Sequence, residues 1–274
     1  NGIVRPKTFR ETLAKSVKKY NRNRQQDSYE FLEDLLTLLE EGIKYEIEMD
    51  IQGQVNTQLD KLLDRSYREW FKHYRKGYSQ LVELFDGMTY SKTSCNNCKY
   101  DSGKFEMYRG LTVEIPNDTL EANLDEYFQS SQIDDWKCEK CKKKGCTLES
   151  NLWTIPNYLI IHLKRFKCDP QTGNTYKIKS NMTYPVETLD MTKYITKDKN
   201  VQGKYVYRLY AINCHTGEIN DGHYWSMVRN LDTNWYIFND MDTMQVRDLQ
   251  KLNTDGAYIL FYYRKFIRTS AASE

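Results

Sequence analysis

Apolar residues in the first third of the chain recur every three or four positions; beyond about residue 88 they alternate or run together. The clearest helical stretch is 27–42, where Phe31, Leu32, Leu35, Leu36, Leu39 and Ile43 fall on one face. Asp27 is placed to cap it, Glu30 to complete a D-x-x-E capping arrangement, and Gly42 to end it. A second apolar set, Leu59, Leu62, Leu63, Trp70, Phe71, Leu81, Leu84 and Phe85, extends the helical reading over 56–86. Strands are expected at Leu111–Ile115, Tyr158–Leu163, Tyr205–Asn213, His223–Val228, Trp235–Phe238 and Ala257–Tyr263, with a short helix at Glu121–Phe128 and a turn at Asn200–Gly203. Tyr158–Leu163, a compact apolar run after Pro156, suits a buried strand. Helices first and strands afterwards make an α+β chain.

The chain has 274 residues, near the upper limit of one hydrophobic core. Its net charge of +2 argues against a dedicated nucleic-acid or membrane surface, and no apolar run reaches the roughly 18 residues that span a bilayer. The 22 tyrosines suit half-buried strands and contact surfaces. Seven cysteines, four of them in CxxC pairs, fit metal ligation in a reducing compartment, cytoplasmic or nuclear, better than a disulfide framework. The chain opens on Asn1 within a basic, helix-patterned stretch, which reads as a piece of a longer protein.

Two constellations carry chemistry. Cys95-Asn-Asn-Cys98 and Cys138-Glu-Lys-Cys141 are two knuckles with 39 residues between them. Together they supply four thiolates for a closed structural zinc site, with Cys146 expected as a bystander. Lys142-Lys143-Lys144 after the second knuckle is the only feature favouring nucleic acid, and no aromatic RNA-binding motif accompanies it. The second constellation is a hairpin. Gly222–Val228 and Trp235–Asp240 centre on Leu231, which sets His223 opposite Asn239. A histidine with a side chain to orient it is half of a Cys-His-Asn catalytic apparatus. Among the other histidines, His215 and His162 are expected to be structural and His73 to lie at the surface.

Four blocks stand in order: Gln25-Gln26-Asp27-Ser28-Tyr29-Glu30-Phe31-Leu32, the CxxC pair, Leu159-Ile160-Ile161-His162-Leu163-Lys164-Arg165-Phe166, and the Gly222-His223-Tyr224 … Trp235 … Phe238-Asn239-Asp240 hairpin. In this the chain resembles the catalytic domain of the ubiquitin-specific proteases, papain-like deubiquitinases built as thumb, palm and fingers. The resemblance runs from about residue 20 to 265. It implies a single domain over 1–268, with a thumb remainder over about 1–88 and fingers and palm over about 89–268; the small, polar tail at 269–274 is expected to be frayed. It also implies that His223 is the general base, Asn239 the third triad member and Asp240 its acidic neighbour. Gln26, Asp27, Glu30, Phe166 and Gly222 would line the channel for the C-terminal tail of ubiquitin, with the loop between Gly217 and Gly222 lying over that tail. The zinc knuckles would form the fingertip.

In that family the nucleophile lies in an Asn-x-Gly-x-x-Cys-Tyr box upstream of the Gln-Gln-Asp block. Here 24 residues precede Gln25 and the first cysteine is Cys95, so neither that cysteine nor the oxyanion asparagine is in the sequence. Cys214 adjoins His215, but neighbouring strand residues point to opposite faces; Cys168 has no base in reach. The expected function is a thiol deubiquitinase domain whose nucleophile lies outside these residues. The alternative is an inactive ubiquitin-binding or scaffold module of the same fold. The expected partners are ubiquitin or ubiquitinated proteins, with parts of the parent protein free to join a larger assembly.

Overall fold

The computed structural model describes residues 6–22, 24–199, 203–218 and 221–265. The frayed tail expected at 269–274 lies outside these, as does the Asn200–Gly203 turn except for Gly203, whose φ of +105° suits a turn glycine.

The helices are α1 (Lys7–Ser16), α2 (Ser28–Ile43), α3 (Gln58–Tyr74), α4 (Gln80–Phe85) and α5 (Leu120–Tyr127). The strands are β1 (Gly87–Cys95), β2 (Asp101–Tyr108), β3 (Gly110–Val113), β4 (Ser131–Lys137), β5 (Lys144–Thr154), β6 (Tyr158–Leu163), β7 (Phe166–Cys168), β8 (Thr175–Lys177), β9 (Leu189–Asp190), β10 (Val206–Gly217), β11 (Gly222–Arg229), β12 (Trp235–Asn239), β13 (Asp242–Val246) and β14 (Ala257–Arg264). They form three sheets. The large one runs β13-β12-β11-β10-β14-β6-β3, with β9 paired to β10; the second runs β2-β1-β5-β4; β7 and β8 form a separate hairpin. Among the described strands all pairs are antiparallel except β3 with β6, which gives the large sheet one parallel edge.

The apolar runs of β6 and β14 are continuous because alternate residues serve two cores. Leu159, Ile161, Leu163, Leu260 and Tyr262 join the main core with α5, Met182 and Tyr194. Ile160, Ile259 and Phe261 turn to the opposite face, where Leu36, Leu32 and Tyr29 of α2 cover them, and Tyr258 joins them at the irregularity in the β10–β14 ladder. A third cluster, Met88, Tyr90, Phe105 and Trp153, seats the base of the four-stranded sheet on Leu59, Leu62, Leu63 and Trp70 of α3. Helices α5 and α2 thus brace the large sheet and α3 the base of the smaller one. Arg109 ties the junction together, reaching Asp86 at 2.5 Å and Glu40 at 2.9 Å.

Two local expectations are corrected. Helix α2 runs through Gly42 to Ile43, and the extended Lys44 ends it, its N–H donating to the Glu40 carbonyl at 2.8 Å. Gly42 has no left-handed φ and so cannot act as the stop. Asp27 does cap the helix, accepting from the Tyr29 and Glu30 N–H groups at 2.7 and 3.0 Å. Glu30 does not complete a capping box, because its carboxylate turns to Lys19 at 3.0 Å. A reciprocal box exists instead at α3, between Thr57 and Asp60, just ahead of the apolar spacing that marks that helix.

Candidate active site and metal centre

The hairpin register differs from the expected one by two residues. Ser226 pairs with Phe238, Met227 with Ile237 and Arg229 with Trp235, so the hairpin centres on Asp232. The loop explains it: Asn230 N–H bonds to Asn234 C=O at 2.8 Å, and Thr233 takes a left-handed φ of +69°, the arrangement of a three-residue hairpin loop. A two-residue slip preserves which face each side chain occupies. His223 and Asn239 therefore remain on one face, as diagonal rather than direct neighbours. The His223 Nε2 stands 2.6 Å from Asn239 Oδ1. Asp240 Oδ2 is 3.8 Å from the same nitrogen. Asp240 opens the two-residue turn into β13 with a left-handed φ of +48°, which aspartate tolerates better than most residues.

An amide oxygen can only accept, so Nε2 carries the proton and Nδ1 keeps a free lone pair. That is the tautomer a general base needs. The His223 side chain is 44% exposed, so this lone pair can meet a reactant from solvent or from another segment.

Behind His223 lies an aromatic floor. His215 is buried at 2% exposure, with Tyr224 at 4.6 Å, Phe166 at 5.2 Å and Tyr258 at 6.4 Å between ring centres. Tyr29 stacks on His162 at 4.1 Å. Burial pushes both His162 and His215 down to about 4, with the Lys177 cation adding to the effect at His215. Both are therefore neutral core residues at physiological pH, as the sequence suggested. Asp27 sits between them electrostatically and accepts a hydrogen bond from the Tyr258 hydroxyl. Phe166 is half-buried in this floor. Gln26 lines an open cleft of about 1110 Å³ between α1, α2 and β11, whose walls include Phe9, Leu13, Phe31 and Tyr224. Gly222 borders His215 so closely that a Cβ there would lie 2.0 Å from His215 Nε2.

Two residues that sequence reasoning passed over hold this region together. Arg165 is fully buried and spends its guanidinium on backbone carbonyls: Ala257 at 2.5 Å, Ile178 at 2.9 Å and Ser180 at 3.0 Å. It thus pins β14, the β8 exit and β6 together, a role its place in the Lys-Arg-Phe block did not reveal. Gln25, the first residue of the Gln-Gln-Asp block, bonds the backbone of Gly222 through both ends of its amide.

None of the seven cysteines is placed to partner His223. Cys214 is fully buried in the main core, where burial pushes its thiol up to about 12. Cys168 lies exposed at the end of β7. The remaining five sit at the far end of the second sheet. Cys95, Cys98, Cys138 and Cys141 bring their sulfurs within 4.8 Å of one another. Cys95 and Cys141 are 3.6 Å apart and Cys98 and Cys138 3.7 Å, close to the roughly 3.8 Å edge of a tetrahedron with zinc–sulfur bonds of about 2.3 Å. The two knuckles share one backbone form. Lys99 N–H donates to Cys95 C=O and Lys142 N–H to Cys138 C=O, with φ of +55° and +62° at the two lysines. Backbone N–H groups of Cys98 and Asn97 point at the Cys95 sulfur and draw its thiol down to about 6. These donors fit a four-coordinate metal. Cys146 is opposite Cys95 across the β1–β5 ladder and outside the cluster.

The chain is similar to proteins of known family and to solved structures. Residues 1–262 match the model of the family described as ubiquitin carboxyl-terminal hydrolase. The "Probable ubiquitin carboxyl-terminal hydrolase" of Acanthamoeba polyphaga mimivirus is 31% identical over 95% of this chain and 56% of its own length. Ubiquitin carboxyl-terminal hydrolase 2 of Homo sapiens is 29% identical over 96% of this chain and 44% of its own. The chain thus spans about half the length, or less, of these curated relatives. Among solved structures, a yeast SAGA DUB module matches with a TM-score of 0.75 at 21% identity, over 97% of this chain and 56% of the other. A SAGA DUB module of Ubp8, Sgf11, Sus1 and Sgf73 bound to monoubiquitin matches at 0.71 and 19%, over 93% of this chain and 52% of the other. A family model that spans nearly the whole sequence, on a fold shared with these modules, places this chain in the ubiquitin carboxyl-terminal hydrolase family.

Proposed function

We propose that this chain carries the base-and-orienter half of a thiol deubiquitinase site, which hydrolyses the bond after the C-terminal Gly-Gly of ubiquitin. The observation that supports it most is the His223–Asn239 hydrogen bond of 2.6 Å, made by Nε2 and leaving Nδ1 free. The nucleophilic cysteine comes from a part of the protein outside these 274 residues. His223 Nδ1 takes the thiol proton, the thiolate attacks the glycine carbonyl, and the same proton passes to the departing amine. Water then cleaves the thioester with His223 again as base. Asn239 holds the ring in the productive tautomer without adding a full charge, and Asp240 supplies negative potential nearby.

In this reading Gln26, Asp27, Glu30, Phe166 and Gly222 border the tail channel. Asp27 and Glu30 meet the basic groups of the tail, and Phe166 forms its apolar side. Asp27 is already committed as helix cap and Tyr258 acceptor, yet a carboxylate has lone pairs to spare for an arginine. Glu30 is engaged by Lys19, so a tail cation must share or displace that ammonium. Cys95, Cys98, Cys138 and Cys141 would hold zinc, which supplies a closed structural cross-link and no open coordination position for chemistry.

A ubiquitin carrying a C-terminal electrophile tests the reading on the intact protein. The expected result is a covalent adduct, lost when His223 is replaced by alanine. Ubiquitin binding without an adduct would establish the scaffold alternative instead.

A further inference from the structure

The side-chain amide of Gln25 offers a donor and an acceptor side by side, and both engage one residue. Its Nε2 donates to the Gly222 carbonyl, and its Oε1 accepts the Gly222 N–H at 3.0 Å. The N–H and C=O of a strand residue point in the same direction, so Gln25 takes the place of a neighbouring strand for that one residue. On its other side Gly222 pairs with Gly217 of β10. Its Cα abuts buried His215, as the 2.0 Å approach of a hypothetical Cβ shows. The β10 end is held in turn by Lys177, whose ammonium donates to the carbonyls of His215 at 2.7 Å and Gly217 at 3.3 Å. Gly222 is therefore fixed from three directions.

Gly222 immediately precedes His223. The His223 ring is exposed and, among the described residues, has a hydrogen bond to Asn239, with Asp240 farther off. A ring with so few contacts of its own takes its position from its backbone. We propose that Gln25 is a positioning residue for His223, its amide clamping the Gly222 backbone so that the imidazole is presented in register with Asn239. This rests on the deubiquitinase reading for its catalytic consequence, but the clamp itself does not.

The requirement is for an amide. Alanine removes both bonds. Glutamate keeps an acceptor for the Gly222 N–H but sets a carboxylate oxygen against the Gly222 carbonyl, so it cannot rescue at neutral pH. In the intact protein, Gln25→Ala is expected to lower kcat about tenfold or more on a ubiquitin C-terminal amide, with KM changed less than about twofold, because misplacing a catalytic group weakens the transition state rather than binding. Gln25→Glu should be no better than alanine. Amide hydrogen exchange at Gly222 should accelerate in both variants, and the ring ¹⁵N shifts of His223 should move. If kcat stays within about twofold of the parent, or if Gly222 exchange is unchanged, the proposal is overturned. Should the parent protein show no hydrolysis at all, the functional reading falls. Gln25 is then judged by the two spectroscopic readouts: both moving supports the clamp, and anything less overturns it.

Discussion

The fingertip and the palm edge are built in opposite ways. At the fingertip, four sulfurs come from two short knuckles with the same backbone turn, and the chemistry of each knuckle is set within five residues. At the palm edge, His223 and Asn239 come from different strands, their floor from β6, β7, β10 and β14, and their clamp from Gln25, nearly 200 residues away. A site made of local motifs should survive damage elsewhere. A site assembled by a sheet should be sensitive to distant changes. Their independence can be tested directly.

The largest effect is expected at His223, the base in the proposed reaction. His223→Ala should reduce hydrolysis by about 10³-fold or more while leaving metal content unchanged, measured by steady-state kinetics and elemental analysis. Loss of metal in this variant would show that the two sites are coupled. Asn239→Ala should cost about 10²-fold in kcat, since the ring loses its orienting acceptor, and Asn239→Asp should recover most of that.

Metal removal probes the other half. Chelation, or Cys138→Ser, should release the zinc proposed at the four thiolates and lower the thermal midpoint, at roughly 2–4 °C for each kcal/mol of stability lost. The His223 ring ¹⁵N shifts should stay in place. If they move with the metal, the fingertip is not autonomous.

A smaller effect concerns the palm floor alone. His162 and His215 are held near 4 in the fold against an ordinary 6.5. The unfolded chain therefore binds protons that the folded one refuses, and stability should fall as pH drops from about 6.5 towards 4, with little further change below from these two. His215→Gln should flatten that slope in urea titrations across the window, leaving only the His162 contribution. The groups facing these rings include Asp27 and Glu218, which favour the charged form, and Lys164 and Lys177, which oppose it.

The smallest effect is expected beside the proposed tail channel. Lys19 pairs with Glu30 at 3.0 Å and Asp34 at 2.8 Å on a partly exposed surface. Lys19→Met should free Glu30 and tighten binding of ubiquitin no more than a few-fold, read by calorimetry, because exposed pairs are worth about 1 kcal/mol or less.

Much of the large sheet was legible because its strands are apolar enough to announce themselves. Tyr158–Leu163 matched β6, and the expected strands at 223–228, 235–238 and 257–263 fall within β11, β12 and β14. The second sheet was harder to see. Its β4 reads Ser-Gln-Ile-Asp-Asp-Trp-Lys and is exposed along nearly its whole length, so no burial pattern marks it. The same limit hid Gln25. A glutamine beside a helix cap has no signature that distinguishes a solvated side chain from a backbone clamp.

The sequence by itself determined the four-thiol fingertip, the histidine and its amide partner, the capping aspartate and the family. Each of these depends on residue type and short-range spacing, or on motif order. Only the tertiary structure decided the hairpin register, the two-faced burial of β6 and β14, the buried Arg165 and the grip of Gln25 on Gly222. Those depend on which groups from distant segments meet, and on the backbone carbonyls and N–H groups that burial leaves to be satisfied. Every residue carries such groups, so no residue type advertises them.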